Sequence, residues 1–350
     1  MFSFQVSKIP FYIMMFIIVL IFSTFGKHVN ELFKKQNEND EYELIRKYLL
    51  NDSSLYGYNK PKLWIHSKYE KNSRVWKSFQ SRSSMDLNQP YIHLTIKSIM
   101  DHCSDDFNIC LVDDNSFSKL LPLWKIDLHS LSEQEKKRYR NYGMMTLLYT
   151  YGGMIIPNSF ICFHSLKNLY EIGISKGTPF LCENINTTMN MNEKKRMLFI
   201  PDIYFMGVEK KENSTIQEIL HFIKKGCDKP HFSSEDEFRG ELQSHCLLLV
   251  KLKRLRLVGG EIIGVKTAKK QRILLDDLME EKEIELHSKC CGIYIPSDEI
   301  LNRTKFQWFA LLSSQQIFES NSFLSKYLQL SIMEPMLSIK NIIPSSINSF

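Results

Sequence analysis

The stretch from Arg138 to Leu166, RYRNYGMMTLLYTYGGMIIPNSFICFHSL, limits what this chain can fold into more than any other. Tyr142, Met145 and Tyr149 recur at helical spacing, as do Met144, Leu148 and Tyr151, which predicts a largely buried helix. Gly152 and Gly153 follow the last apolar turn, where a residue without Cβ takes the positive φ that closes a helix. Met154-Ile155-Ile156 is then a short apolar run of the kind a strand inside a sheet presents, and Pro157 ends it. Phe160 to Phe163 predict a second short strand. A helix, a glycine stop, a buried strand and a polar loop together present loop residues at a sheet edge.

The flanking text alternates in the same way. Lys62-Leu63-Trp64-Ile65-His66 reads as a short strand with His66 at its end, where backbone bonds or a ligand would satisfy the ring. Pro90 to Ile99 suits an amphipathic helix, and Phe107 to Val112 a second strand followed directly by Asp113-Asp114. Ligands collect beyond the carboxyl ends of strands in open α/β sheets, so these carboxylates either meet a ligand or cap the next helix. Leu120 to Trp124 leads through a charged run, Glu133 to Arg140, into the organising helix. Pro179 to Asn184 and Phe199 to Gly207 read as further strands. They carry Glu183 and Asp202, the weak catalytic candidates, either of which could act as a base on a hydroxyl or serve at the surface or as a cap. Leu242 to Leu257 reads as a helix with a basic face of Lys251, Lys253, Arg254 and Arg256, and Lys266, Lys269, Lys270 and Arg272 follow. Such side chains form a solvated face or hold a diphosphate without a metal. Phe306 to Leu312 begins an apolar helix that packs onto the sheet. The alternation predicts an α/β fold with a mixed, mainly parallel sheet flanked by helices.

Length and charge exclude little but are consistent with this. At 350 residues, 43% hydrophobic and 24% charged, the composition is that of a globular protein with ample core, and the net charge of +6 does not suggest a dedicated nucleic-acid binder. Eight cysteines lack metal-ligand spacing and read as ordinary thiols, with disulfides in an oxidising lumen as the alternative. The apolar run Ile9 to Phe25 is at the lower length limit for a transmembrane helix; a signal peptide cut after Gly26 and a buried helix are its rivals. A single-pass membrane protein is expected, with 1–26 as anchor or signal, 27–61 as stem, 62–330 as the globular domain and 331–350 as a tail. Flanking charge argues weakly for a cytoplasmic carboxy-terminal part. Sequons at Asn51, Asn186, Asn213 and Asn302 could be used only on a lumenal domain, so orientation stays open between Golgi- or reticulum-type and viral or host membranes.

Tyr151-Gly152-Gly153 in this helix-strand context resembles the central motif of nucleotide-sugar glycosyltransferases of the capsular-polysaccharide-synthesis type, which share a DxxR…YGG…DxD signature. The resemblance spans roughly residues 62 to 170 and implies a GT-A-like, Rossmann-type fold that transfers sugar from a nucleotide sugar to a glycan or protein acceptor. It implies nucleotide-sugar contacts from His66, Asp113, Asp114, Gly152, Gly153, Asn158 and Ser159. The DxD positions are occupied by Pro157-Asn158-Ser159, and the helix Asp and Arg positions by Asn141 and Met144. No metal ligand is therefore assigned, and manganese or magnesium is expected to bind that loop weakly, because a hard cation prefers carboxylates among its oxygens. The alternative is an inactive, membrane-anchored binding protein of the same fold. Restoring acids at Pro157 and Ser159 is expected to create manganese binding.

Overall fold

The computed structural model describes residues 60–67, 89–121, 123–186, 197–228 and 235–333. The expected anchor at 9–25, the stem up to residue 59, the sequon at Asn51 and the tail after Met333 lie outside them. The strands in chain order are β1 (Lys62–His66), β2 (Asn108–Val112), β3 (Gly153–Ile156), β4 (Phe160–Cys162), β5 (Phe180–Ile185), β6 (Phe199–Val208), β7 (Arg256–Val258) and β8 (Gly292–Tyr294). Six of them form the main sheet in the order β2-β1-β3-β6-β5-β7, and β4 and β8 pair separately. β1 runs parallel to β2 and β3, and β5 parallel to β7, while β6 is antiparallel to both its neighbours. The expected mixed sheet with a parallel majority is what forms. Among the described residues no helix is long and apolar enough to cross a membrane.

The longer helices are α1 (Tyr91–Cys103), α3 (Glu133–Tyr151), α4 (Lys167–Ile174), α5 (Ser214–Cys227), α6 (Glu235–Lys251) and α11 (Phe323–Met333). Short ones are α2 (Ser116–Leu120), α7 (Leu275–Met279), α8 (Ser297–Asn302), α9 (Gln307–Ala310) and α10 (Ser314–Glu319). On one face of the sheet Trp64, Ile155, Leu181 and Met206 pack with α3, α5 and α6. On the other, Leu63, Ile65, Met154, Ile156 and Phe205 meet α1, α4 and β4. Burial on both faces explains why Met154-Ile155-Ile156 shows no polar alternation. A third cluster packs α7 to α11 against the small sheet and α1, so the apolar segment at Phe306 covers β4 and β8 rather than the main sheet.

Two elements differ from expectation. α3 begins five residues before Arg138, because Ser132 and Glu135 form a reciprocal capping box and the charged run Glu133 to Arg140 becomes the first turns. The basic segment Leu242 to Leu257 is not one helix. α6 ends at Lys251, Lys253 turns with φ of 59°, and Arg256 to Val258 pair with β5. Ladder pairing with a buried strand overrides the helical periodicity there.

The Tyr-Gly-Gly motif ties these layers together. The Tyr151 hydroxyl donates to Leu120 O (2.7 Å), and Trp64 Nε1 donates to Gly152 O (2.8 Å). Gly152 and Gly153 have φ of 70° and 96°, and a Cβ on Gly153 would lie 2.2 Å from Lys62 O. Only glycine lets β3 approach β1 this closely directly after a helix.

Candidate functional site

Strand register decides which side chains meet. Ile65 lies opposite Ile156 and His66 opposite Val112 in parallel pairs, while Glu183 lies opposite Pro201 in an antiparallel one. His66, Asp113-Asp114, Pro157 to Ser159, Glu183 and Asp202 therefore share one edge of the sheet, the carboxyl edge of its parallel strands. Two groups stand out along it.

The first group is a charged network at the ends of β1 and β2. Asp113 accepts from Ser116 N (2.8 Å) and Ser116 Oγ (2.6 Å) at the first residue of α2. Asp114 accepts from Arg140 Nε and Nη2 at 2.7 and 2.6 Å and pairs with His66 Nε2 at 3.1 Å. The His66 ring stacks on Phe117 at 5.9 Å. Burial alone would raise the Asp114 carboxyl, but Arg140 and His66 outweigh it and hold it well below the usual carboxylate range. Arg140 entered the sequence reading only as part of a charged run. Its partner is 26 residues upstream, beyond any local pattern.

The second group lines a cavity of about 540 Å³ walled by α3, α6, the starts of β6 and α8, and the end of β5. Asp202 is almost fully buried there and accepts from Asn184 Nδ2 (2.9 Å) and Tyr204 N (3.0 Å), with Tyr294 lining the same cavity. Burial pushes its carboxyl above the usual range, and these donors together with the positive field of Arg239 only partly offset that. Asn141 lines the cavity together with Tyr204, whose hydroxyl pKa burial raises to about 12. Asn141, read from the sequence as standing at the helix Asp position, thus faces the cavity, while Met144 is buried in the core between α3 and the sheet. Tyr294 and Arg239 gave no sequence signal, because each reaches the cavity from an element distant in the chain.

The remaining candidates have other partners. Glu183 accepts from Lys266 Nζ and from Gly260 N (3.1 Å), and Lys266 lies over the Phe199 ring at 4.1 Å. Ser159 is buried with its hydroxyl donating to Ile295 O (2.8 Å), and Asn158 O accepts from Thr95 Oγ1 (2.5 Å). Arg254 pairs with Glu218 (2.6 Å) and Lys269 with Glu285 (2.8 Å). Arg256 pairs in register with Phe180, the first residue of β5, at the opposite edge of the sheet. At Pro157-Asn158-Ser159 the only side-chain oxygens are neutral, and that of Ser159 is engaged. This donor set does not fit a divalent cation. Among the described residues no group of three His, Cys, Asp or Glu side chains is arranged as metal ligands. All eight cysteines are free thiols.

No protein-family model and no curated protein matches the chain. Among solved structures it is similar to one titled "PaToxG Glycosyltransferase", at 12% identity and a TM-score of 0.30, covering 62% of this chain and 85% of that one. So loose a superposition leaves the fold to be read from the strand order and register themselves.

Proposed function

We propose that the protein is a glycosyltransferase of the GT-A type that takes a nucleotide sugar into the cavity at the carboxyl edge and passes the sugar to a glycan or protein acceptor. The observation that carries this reading is Asp202, a buried carboxyl held by two donors in a roomy cleft beyond the strand ends. In the proposed reaction the acceptor hydroxyl oxygen bonds to the anomeric carbon as the bond from that carbon to the diphosphate oxygen breaks. The diphosphate leaves with the electron pair, and the hydroxyl proton passes to Asp202. A carboxyl raised by burial is a stronger base than an ordinary one once ionised. His66, Asp113-Asp114 and the Asn158-Ser159 loop border the nucleotide end on this reading, and Gly152-Gly153 set their spacing. No step runs through a metal at that loop. Residues 9–25 would attach the protein to a membrane.

A second reading, binding of the same ligand without transfer, is favoured by one feature: the loop after β3 lacks the carboxylates that would assist departure of a diphosphate. Calorimetric titration with UDP- and GDP-sugars, with and without manganese, together with an assay for released nucleoside diphosphate, separates the two. Metal-independent release supports transfer. Binding without release supports the second reading, and no binding of any sugar nucleotide sinks both.

A further inference from the structure

Two cations line the cavity from neighbouring helices. Lys137 is on α3, one helical turn before Asn141, and Arg239 is on α6, one turn after Glu235. Most carboxylates around them are already engaged. Glu235 pairs with Arg138 at 2.9 Å, Glu133 with Lys136 at 2.9 Å and Glu299 with Arg303 at 3.4 Å. Lys137 meets Asp298 only loosely, at 3.9 Å. Arg239 is half-buried, and among the described residues it makes no hydrogen bond or ion pair. Its charge reaches Asp202 and Tyr204 through space, without contact.

A guanidinium drawn partly out of water with no protein group bonded to its five donors favours an anionic ligand. Its planar fork matches two oxygens of one anionic group, and bonds to an anion in a partly enclosed site are stronger than those at an open surface. Asp202 does not complete it: no hydrogen bond or ion pair joins the two, and its oxygens accept from Asn184 Nδ2 and Tyr204 N. The partner such a fork fits is an anion brought by the ligand.

We propose that Arg239, with Lys137 on the neighbouring helix, forms an anion subsite of the cleft that receives a phosphoryl group of the bound ligand. The choice of phosphoryl over other anions rests on the nucleotide-sugar reading above; the subsite itself rests on the unpaired guanidinium. Arg239 then supplies the fixed positive charge that the loop Pro157-Asn158-Ser159 lacks.

The test uses the full chain as wild type, Arg239→Gln and Arg239→Lys, titrated with UDP, GDP, inorganic pyrophosphate, glucuronate and neutral glucose at low and high salt. Wild type should bind pyrophosphate or a nucleoside diphosphate in a salt-sensitive way, and Arg239→Gln should weaken it at least about tenfold. Arg239→Lys should keep part of the affinity. Glucose binding should not respond to either change, and that comparison shows the cleft is still folded. Equal phosphate affinity in wild type and Arg239→Gln overturns the proposal, as does wild type that binds none of the phosphate probes. Arg239-dependent binding of glucuronate in place of pyrophosphate overturns the phosphoryl assignment. Arg239-dependent diphosphate binding without sugar release leaves the subsite standing and removes transfer. Sugar release unaffected by Arg239→Gln does the reverse.

Discussion

Two aspartates at the same sheet edge titrate in opposite directions, and each shift has a sign that can be measured. The Asp114 carboxyl is held below its ordinary value of 3.8, so the folded state binds fewer protons than the unfolded one as pH drops. Its stabilising contribution is complete above that value and is lost on further acidification. Asp114→Asn should therefore flatten the acid limb of stability, measured by urea melts between about pH 2 and 5. Asp202 is raised, so its contribution is present below the ordinary carboxylate range and is lost as pH rises through the folded value. Asp202→Asn should remove that second slope. If Asp202 takes the acceptor proton, the same change should lower sugar transfer by about 100-fold or more. It should also abolish the rise of wild-type rate with pH. Unchanged transfer in Asp202→Asn would move the base elsewhere.

Among the elements, the junction of α3 with β3 bears most on the site, because it fixes β1 and β3 in register and with them His66 and the loop after Ile156. Gly153→Ala forces a Cβ against Lys62 O at a φ of 96°, and should cost about 2 kcal/mol or more in thermal or denaturant unfolding. Gly152→Ala meets its nearest atom, Glu209 O, only at 3.2 Å and should cost less. Comparable losses at both positions would show that the close strand approach is not what selects glycine. The motif itself was legible because a glycine pair after an apolar helix and before a buried strand has few structural outcomes. The end of α6 was not: Leu255, Leu257 and Val258 fit a helix face as well as a strand, and only pairing with β5 chooses between them.

For the whole molecule, layering changes what a substitution at the metal-like position can do. Sequence alone predicts that Pro157→Asp with Ser159→Asp creates manganese binding. In the fold, Ser159 is 1% exposed and its hydroxyl donates to Ile295 O, the residue directly after β8, against which the carboxy-terminal helices pack. A carboxylate there is buried against a carbonyl, so the double variant should unfold at lower temperature and bind manganese weakly if at all. Pro157→Asp alone should be tolerated better. Scanning calorimetry with and without manganese checks both; a stable double variant that gains manganese affinity would show that the loop is free to face the cleft.

The sequence by itself determined the strands at Lys62, Asn108, Gly153, Phe180 and Phe199, the glycine stop, and the absence of carboxylates after β3. These follow from local periodicity, backbone conformation and side-chain chemistry, which a linear reading carries. Tertiary structure decided the partners. It joined Asp114 to Arg140, tied Glu183 to Lys266, and brought Asn141, Asp202, Arg239 and Tyr294 around one cavity. It also turned Arg256 to the far edge of the sheet. Side chains separated by tens of residues meet only once register and layer packing are set, and no local pattern records whether a charge there finds its counter-charge or, like Arg239, is left facing the cleft.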